Sequence, residues 1–500
     1  MATIVNFSGV QPFRHSSSTR RRSCRQPAVV RAGLLDLLRG VGSQAQTLPE
    51  DPDGSSLLRW LEARGLPPQK VAAVAVPGAG RGLAATRAIP QGEPLLLVPQ
   101  QAVITPEAAA RHSSLAPLLE STPLPAWSVL ALWLAEARAA GPAGEWWPYI
   151  RLLPARTGSV LEWSEEEVGW LEGSQLAEAA AEIRAAADAS WREMQPLLAA
   201  AEQAGLGPAG AFSREALLWA FSILLSRLVR LPSLAPPLPA PGLQQQAQQQ
   251  PGGPPGTEAL LPWADLLNHA PSSTAFLDWD AASAAVVLRV DRRYRAGEEV
   301  HISYGQKTGG ELLLSYGFAP KPADNPHDGC KLRLSLRRDD PASDAKAAAL
   351  AAFGMAPSQL FPLRMAAAPF GLVHYAALAA AEVRSEDAAQ LAQRLLGDGD
   401  IPPALQQPAL EAVVAACQAA MKAYPSSLEA DRAELAKLEA EAAAVAAAGQ
   451  QQQGGGDSAW QRRNRRRQVL QVLVYERQVL ARTTFVLQQE LKDLRRMAGR

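Results

Sequence analysis

Cysteine is scarce in this sequence, which holds only Cys24, Cys330 and Cys417 among its 500 residues. Their wide spacing excludes a Cys-x-x-Cys pair, a zinc site of four cysteines and a zinc site of two cysteines with two histidines within the chain. It also indicates a protein that works with reduced thiols. We therefore expect no bound metal.

Long apolar runs are lacking as well. The most apolar window, at 365–383, is rich in alanine and includes Pro369 and His374, which makes it a poor bilayer span. The 49 basic and 49 acidic residues balance, and the chain is long enough for two or three domains. These features favour a globular protein with no membrane partner.

Acidic residues are absent from the first 35 positions, which carry six arginines and many serines and threonines. The stretch has no apolar core of the kind that a secretory signal needs, so it predicts a transit peptide at 1–33. The residues Val29-Val30-Arg31-Ala32 are similar to a chloroplast processing site, and we expect the protein in the chloroplast stroma. The alternative is a basic tail that binds an acidic surface.

Nucleic acid is disfavoured as the main partner. Without the six N-terminal arginines the chain has 49 minus 6, or 43, basic residues against 49 acidic ones. A second arginine cluster at 462–467 has no interleaved aromatic residues and lies in an apolar helical pattern, which favours a solvated helix face.

Hydrophobic periodicity changes along the chain and predicts an α+β fold. A β-rich unit begins near residue 70 and is interrupted by a helical insert at about 120–225. The Pro/Gln/Gly segment 232–256 predicts a disordered loop, because it has too little apolar surface to bury. Beyond Pro320 the alanine- and leucine-rich pattern predicts a separate helical domain at 321–500. Short strands are expected at 71–76, 84–88, 94–98, 285–290 and 299–303.

Three separated segments carry the candidate chemistry: 78–83, 263–269 and 301–304, the last followed by 314–318. The first, Gly78-Ala79-Gly80-Arg81-Gly82-Leu83, follows a strand but lacks the helix and the G-x-G-x-x-G spacing of a dinucleotide site. Its glycines allow backbone groups to approach a compact ligand closely. Considered singly, the Asn-His pair and the tyrosines of the other segments are compatible with ordinary buried structural roles.

Together, residues 55–320 resemble the SET-domain protein methyltransferases, in the branch typified by the Rubisco large-subunit lysine methyltransferase. The resemblance implies a β-rich SET domain with threaded, knot-like strands at 55–320, followed by an all-α substrate-binding domain at 321–500. The motifs that carry it are Gly80-Arg81-Gly82-Leu83, Glu145-Trp146-Trp147-Pro148-Tyr149-Ile150, Trp163-Ser164-Glu165-Glu166-Glu167, Ser226-Arg227, Asp265-Leu266-Leu267-Asn268-His269, Tyr304-Gly305 and Glu311-Leu312-Leu313-Leu314-Ser315-Tyr316-Gly317-Phe318.

The resemblance implies S-adenosylmethionine as cofactor and methyl transfer to the lysine amine of a protein substrate. Tyr304 is the implied catalytic residue, and it orients the amine. The implied cofactor-binding residues are Ala79, Gly80, Arg81, Gly82, Arg227, Asn268 and His269. The implied substrate-binding residues are Arg227, Asp265, Tyr304 and Tyr316. Candidate substrates from the family are the Rubisco large subunit and plastid fructose-bisphosphate aldolase.

Two positions depart from the family pattern. Lys307-Thr308-Gly309-Gly310 replaces the asparagine that commonly follows the Tyr-Gly turn, and a substrate-channel tyrosine is absent where only Phe276 and Trp279 lie nearby. Two alternatives to lysine methylation therefore stay open. One is a non-catalytic SET-like module that binds a protein tail, and the other is a protein-histidine methyltransferase.

Overall fold

The computed structural model describes residues 48–232, 256–366, 371–447 and 459–498. The predicted transit peptide and nearly all of the predicted loop 232–256 lie outside these ranges. The strands are β1 Val71–Val76, β2 Gly80–Ala85, β3 Pro94–Pro99, β4 Val229–Pro232, β5 Gly256–Ala259, β6 Asn268–His269, β7 Leu277–Asp280, β8 Ala285–Arg289, β9 Glu299–Ile302, β10 Cys330–Ser335 and β11 Ser358–Leu363.

Helices make up most of the remaining described residues, and none of those described is long and apolar enough to cross a membrane. The helices are α1 Pro52–Glu62, α2 Pro106–His112, α3 Ala116–Ser121, α4 Ala126–Ala140, α5 Trp147–Ile150, α6 Glu165–Gly169, α7 Gln175–Gln203, α8 Arg214–Arg227, α9 Gly309–Tyr316, α10 Ser343–Ala351, α11 Leu372–Ala380, α12 Ala388–Ala392, α13 Pro403–Lys422, α14 Leu428–Ala447 and α15 Ala459–Ala498.

The described residues group into two compact units. The first lies within Met1–Ser113, Ala140–Leu153 and Arg227–Gly305, and the second within Ser114–Ala139, Pro154–Ser226 and Gln306–Arg500. Packing defines these units, whereas the domain boundaries given above come from the sequence pattern and stay predictions.

A four-stranded sheet in the first unit brings distant parts of the chain together, in the order β1-β2-β9-β6. β2 runs antiparallel to β9, with Leu83 opposite Val300, and β6 runs parallel to β9, with Asn268 opposite His301. Leu83 and Val300 are fully buried because both side chains point into the core. Residues near 80, 268 and 300 therefore lie on adjacent strands.

A three-stranded antiparallel sheet, in the order β3-β8-β7, forms a second layer of the first unit. Four of the five β8 residues are buried, consistent with a central strand of β-branched and aliphatic residues. β7 lies at the edge of this sheet and pairs with β8 alone in it.

The second unit is mainly helical, and α13 packs against both α11 and α15. Two strands depart from the all-helical expectation, because β10 and β11 form an antiparallel pair. The alternating burial of β10, with Cys330, Leu332 and Leu334 inside, is the period-2 signal that marks such a strand.

The arginine cluster at 462–467 is not the solvated face that its sequence favours. Arg465 is buried and pairs with Glu167, and Arg466 pairs with Glu434 at 2.8 Å. The guanidinium of Arg465 also lies 5.7 Å from the centre of the Trp163 ring. These contacts join parts of the second unit that are far apart in sequence, which a local charge pattern cannot indicate.

Candidate active site

The glycine-rich segment forms the turn between β1 and β2 and the start of β2. Gly78 and Gly80 both have φ of +78°, and an added Cβ at either would meet nothing within 4 Å. Gly82 differs, because a Cβ there would lie 2.7 Å from Glu299 Oε1 and 2.9 Å from Asn268 Nδ2. The turn is therefore open on one side and tightly packed against the candidate site on the other.

Arg81 is anchored by its side chain. Its Nε donates to Asp51 Oδ2 at 2.6 Å, and its Nη1 donates to the Leu152 carbonyl at 3.4 Å. Asp51 is itself fixed, since the same Oδ2 caps α1 by accepting from the Gly54 N–H. The backbone of Arg81 is thereby held while the neighbouring Ala79 and Gly80 stay exposed.

Asn268 joins the glycine-rich segment to β9. Its Nδ2 donates to the Arg81 carbonyl at 2.9 Å and to Glu299 Oε1 at 2.8 Å. Burial raises the pKa of Glu299, but hydrogen bonds from His301 and Asn268 outweigh it and lower the pKa below its ordinary value. Because both amide protons are used, the Oδ1 atom of Asn268 is the part of the side chain that can accept a further hydrogen bond.

His269 is oriented by the main chain of the Tyr304 segment. Its Nδ1 accepts from the Tyr304 N–H at 3.1 Å and lies 3.3 Å from the Ile302 carbonyl. A backbone N–H can only donate, so Nδ1 is the acceptor and the neutral ring carries its proton on Nε2. The His269 and Tyr304 rings stack with centroids 5.0 Å apart.

Tyr304 is half-buried, and its hydroxyl donates to the Leu267 carbonyl at 2.7 Å. Burial raises the pKa of Tyr304 to about 12, with the charge of Arg227 opposing the rise. The phenol is therefore neutral near pH 7. It can orient a ligand through its lone pairs, but it is a poor general base.

Arg227, Asp265 and Tyr149 form a buried polar group in the first unit. Arg227 Nη1 donates to the Asp265 carbonyl and lies 3.8 Å from Asp265 Oδ2, to which the Tyr149 hydroxyl donates at 2.7 Å. Burial raises the pKa of Asp265, whereas Arg227 and the Tyr149 hydrogen bond oppose the rise. The backbone leading into this carboxylate is strained, because Trp263 is fully buried with φ of +82°.

Two buried polar atoms of this group have no hydrogen-bond partner in the described part of the protein: Asp265 Oδ1 and Arg227 Nε. Buried polar atoms are nearly always paired, so these two are places where a bound ligand can complete the hydrogen bonding. Asp265 Oδ1 can accept a hydrogen bond from an amine or amide, and Arg227 Nε can donate one to a carboxylate.

The structure thus brings most of the predicted site residues together in the first unit. Tyr316 is the exception in its placement, since it ends α9 in the second unit, where its ring packs edge-on against Phe318 with centroids 6.3 Å apart. Its assignment to the substrate channel stays a prediction. No group of three or more His, Cys, Asp or Glu within the described ranges is arranged to hold a metal ion.

Three side chains that support the site were not singled out from the sequence: Asp51, Tyr149 and Glu299. Tyr149 belongs to the Trp-Trp-Pro-Tyr motif already noted, so its membership of that motif could have marked it as a site residue. Asp51 and Glu299 gave none, because an acidic residue before a helix or on a strand is common at the surface.

Comparison with known proteins gives two family matches. A model described as SET domain matches residues 80–305, and one described as Rubisco LSMT substrate-binding matches residues 337–480. The solved structure entitled "Structure of Rubisco LSMT bound to AdoMet" has a TM-score of 0.65 and 24% identity, covering 89% of this chain and 93% of that chain. The predicted fold, an α+β SET domain followed by a helical substrate-binding domain, is confirmed.

Curated relatives are similar at lower coverage and slightly higher identity. SET domain-containing protein 4 of Homo sapiens is 29% identical over 279 residues, which is 54% of this chain and 59% of that protein. Actin-histidine N-methyltransferase of Homo sapiens is 27% identical, covering 69% of this chain and 54% of that protein. Ribulose-1,5 bisphosphate carboxylase/oxygenase large subunit N-methyltransferase, chloroplastic, of Pisum sativum is 26% identical and covers 86% of each. The chain thus matches less than two thirds of the length of the first two relatives.

Proposed function

We propose that this chain, a SET-domain protein with a Rubisco LSMT-type substrate-binding domain, is an S-adenosylmethionine-dependent protein-lysine N-methyltransferase of the chloroplast stroma. The observation that carries the proposal is the convergence of three distant segments. The Asn268 amide binds the Arg81 carbonyl, and the next residue, His269, accepts from the backbone of Tyr304. Residues 79–82, 268–269 and 304 therefore form one site.

The donor set fits S-adenosylmethionine. The exposed backbone of Ala79 and Gly80 offers polar groups on the open side of the turn, and Asn268 Oδ1 can accept from an ammonium group. Arg227 Nε, buried and unpaired among the described residues, can donate to a carboxylate. When bound, this cofactor supplies an electrophilic methyl group on a sulfonium ion.

The target amine must be neutral to act as a nucleophile, and partial burial beside Tyr304 would disfavour its ammonium form. The Tyr304 hydroxyl is fixed by the Leu267 carbonyl, so its lone pairs have a set direction for holding an amine in line. Asp265 Oδ1 provides an acceptor for a donor of the substrate. Proton removal is assigned to solvent, because Tyr304 is a weak base at neutral pH.

A stromal location and a stromal substrate are supported by two observations. The N-terminal 35 residues have transit-peptide composition, and the Pisum sativum relative, which covers 86% of the chain, is chloroplastic by name. We propose the Rubisco large subunit or plastid fructose-bisphosphate aldolase as substrate.

The proposal is tested by incubating the chain from Ala32 with methyl-labelled S-adenosylmethionine and a stromal extract, followed by mass spectrometry. Label on a lysine of one or two proteins is the expected result. An extract from a strain that lacks this protein is the matched substrate source, because its target lysines are unmethylated. Cofactor binding by calorimetry without labelling of that extract would instead support the non-catalytic binding module.

Histidine methylation is the second candidate, favoured by the similarity of 69% of the chain to actin-histidine N-methyltransferases. The same mass spectrometry separates the two reactions, because tandem spectra assign the label to a lysine or to a histidine. Label confined to histidine would replace the lysine assignment while leaving the site unchanged.

A further inference from the structure

A shallow groove of about 440 Å³ lies over the β7–β8 hairpin of the first unit. Its lining combines four apolar side chains with a threonine, three carboxylates and one guanidinium. The groove is lined by Thr274, Ala275, Phe276, Asp278, Trp279, Asp280, Val287, Arg289 and Asp291. None of these residues is among the cofactor-binding or substrate-binding residues named above, although Phe276 and Trp279 lie near the position of the absent channel tyrosine.

The exposed ring of Phe276 marks this groove. Its 63% exposure makes it the most exposed large hydrophobic residue among those described in the first unit. A single exposed ring is common on protein surfaces, so its weight here comes from its place in the lining of a charged groove. Asp278 and Asp280 are two positions apart in β7, so their side chains share one face of the strand, and Phe276 precedes the strand by one residue.

The negative charge of the groove persists at neutral pH. The Ser283 hydroxyl holds the pKa of Asp280 below its ordinary value. Burial raises the pKa of Asp291, but hydrogen bonds from Thr274 N–H at 2.7 Å and the Ser273 hydroxyl at 2.9 Å bring it below its ordinary value. With Arg289 the only opposing charge in the lining, the groove carries a net charge of −2.

We propose that this groove docks an extended segment of the protein substrate that carries basic residues at every second position. The inference rests on the proposed function, because it places that segment on the protein that is methylated. Alternate side chains of an extended chain are about 6.6 Å apart, which matches the spacing of Asp278 and Asp280. Phe276 then offers its ring to the stem or head of a basic side chain.

The probe is a fluorescent dodecapeptide of alternating arginine and threonine, titrated against the full chain. It contains no lysine, so its binding is independent of methyl transfer. Peptides with glutamine or glutamate in place of arginine are the charge controls. Wild-type protein should bind the arginine peptide only, and binding should weaken as salt rises from about 50 to about 300 mM.

The test variant is Asp278→Asn with Asp280→Asn, which keeps an acceptor oxygen for the Trp279 and Ala282 N–H groups that these side chains bind. We expect it to weaken arginine-peptide binding by about fivefold or more, since two charge contacts are removed. The matched control, Glu172→Gln with Glu202→Gln, removes the same charge from exposed positions of the second unit and should change binding less than about twofold.

Equal binding of the arginine peptide to both double variants overturns the proposal, and so does equal binding of the glutamine peptide to wild type. Phe276→Ser is an independent check that leaves all charges in place and should also weaken binding. Peptide binding with no labelled stromal protein would refute the proposed function and show only that the groove binds a basic segment. Lysine labelling without peptide binding would refute the groove alone.

Discussion

The side chain of Asn268 donates to the carbonyl of Arg81 at 2.9 Å, across 187 positions of sequence. The same nitrogen donates to Glu299, so one amide ties three segments together in the first unit. The contact brings the open turn beside β9, the strand that leads to Tyr304.

Asn268→Asp should lower the free energy of unfolding by about 3 kcal/mol, because a carboxylate oxygen would face the Arg81 carbonyl and Glu299 without a proton to share. Urea unfolding measures the change. Asn464→Asp is the matched control, since Asn464 accepts from Arg467 through Oδ1 and an aspartate retains that role. A cost no larger at Asn268 than at Asn464 would show that the amide contact is dispensable.

Tyr304→Phe should reduce methyl transfer by about 100-fold or more while leaving cofactor affinity within about twofold, since it removes the oriented hydroxyl but keeps the ring. Single-turnover kinetics and calorimetry provide the two readouts. Tyr375→Phe removes a similar buried hydrogen bond, to the Pro357 carbonyl at 2.6 Å, from the second unit. That control should lose stability only. Unchanged turnover in Tyr304→Phe would remove Tyr304 from its proposed role.

Tyr149→Phe should raise the pKa of Asp265 further, because the Tyr149 hydrogen bond opposes the rise that burial causes. A higher pKa means that the carboxylate forms only at higher pH, so the acid limb of kcat/KM should move to higher pH. The shift is measured from a pH profile of wild type and variant. Tyr294→Phe, at another buried tyrosine of the first unit, should leave the limb in place, and an identical shift there would contradict the assignment.

Gly82→Ala should cost about 2 kcal/mol of unfolding free energy and weaken S-adenosylmethionine binding, because the new methyl would press on Glu299 and on Asn268. Thermal unfolding and calorimetry measure both effects. Gly169→Ala has open space around its Cβ and ordinary φ, so it should be tolerated. Wild-type cofactor affinity in Gly82→Ala would show that close packing at this position does not shape the site.

Glu476 predicts a pH dependence of stability. Burial raises its pKa from 4.5 to about 7, although hydroxyls of Ser174 and Tyr424 donate to its Oε2 at 2.7 and 3.0 Å. The folded state thus holds this proton more tightly than the unfolded chain. The resulting stabilisation is complete below about pH 4.5 and is lost as pH rises to about 7, to a total of about 3 kcal/mol.

The dependence is measured by urea unfolding of wild type and Glu476→Gln between about pH 4.5 and about pH 8. The free energy of unfolding of wild type, relative to that of Glu476→Gln, should fall as the pH rises through this range. Glu490→Gln, at an exposed position of the same helix α15, should follow wild type throughout. Parallel curves for wild type and Glu476→Gln would mean that Glu476 does not titrate in this window.

Local patterns predicted some of the elements, including the strands near β1, β3, β8 and β9. The strand expected at 71–76 matches β1, and the helical insert expected at about 120–225 contains α4 and α7, because strong periodicity of 2 or 3.6 reflects a buried face. The start of β2 at Gly80 was not expected, since glycine weakens strand propensity and only pairing with β1 and β9 compensates for it. The burial of Arg465 beside Glu167 was also missed, because the two residues are remote in sequence and only folding brings them together.

By itself the sequence determined the family resemblance, because the identities and order of Gly80, Arg227, Asn268 and Tyr304 are local facts of the chain. Tertiary structure decided which atoms of those residues a ligand can use. Asn268 donates both amide protons, to Arg81 and to Glu299, whereas Arg227 Nε is left unpaired among the described residues. Hydrogen bonds depend on distances of about 3 Å between groups that folding alone brings together, so no reading of the chain in order could assign them.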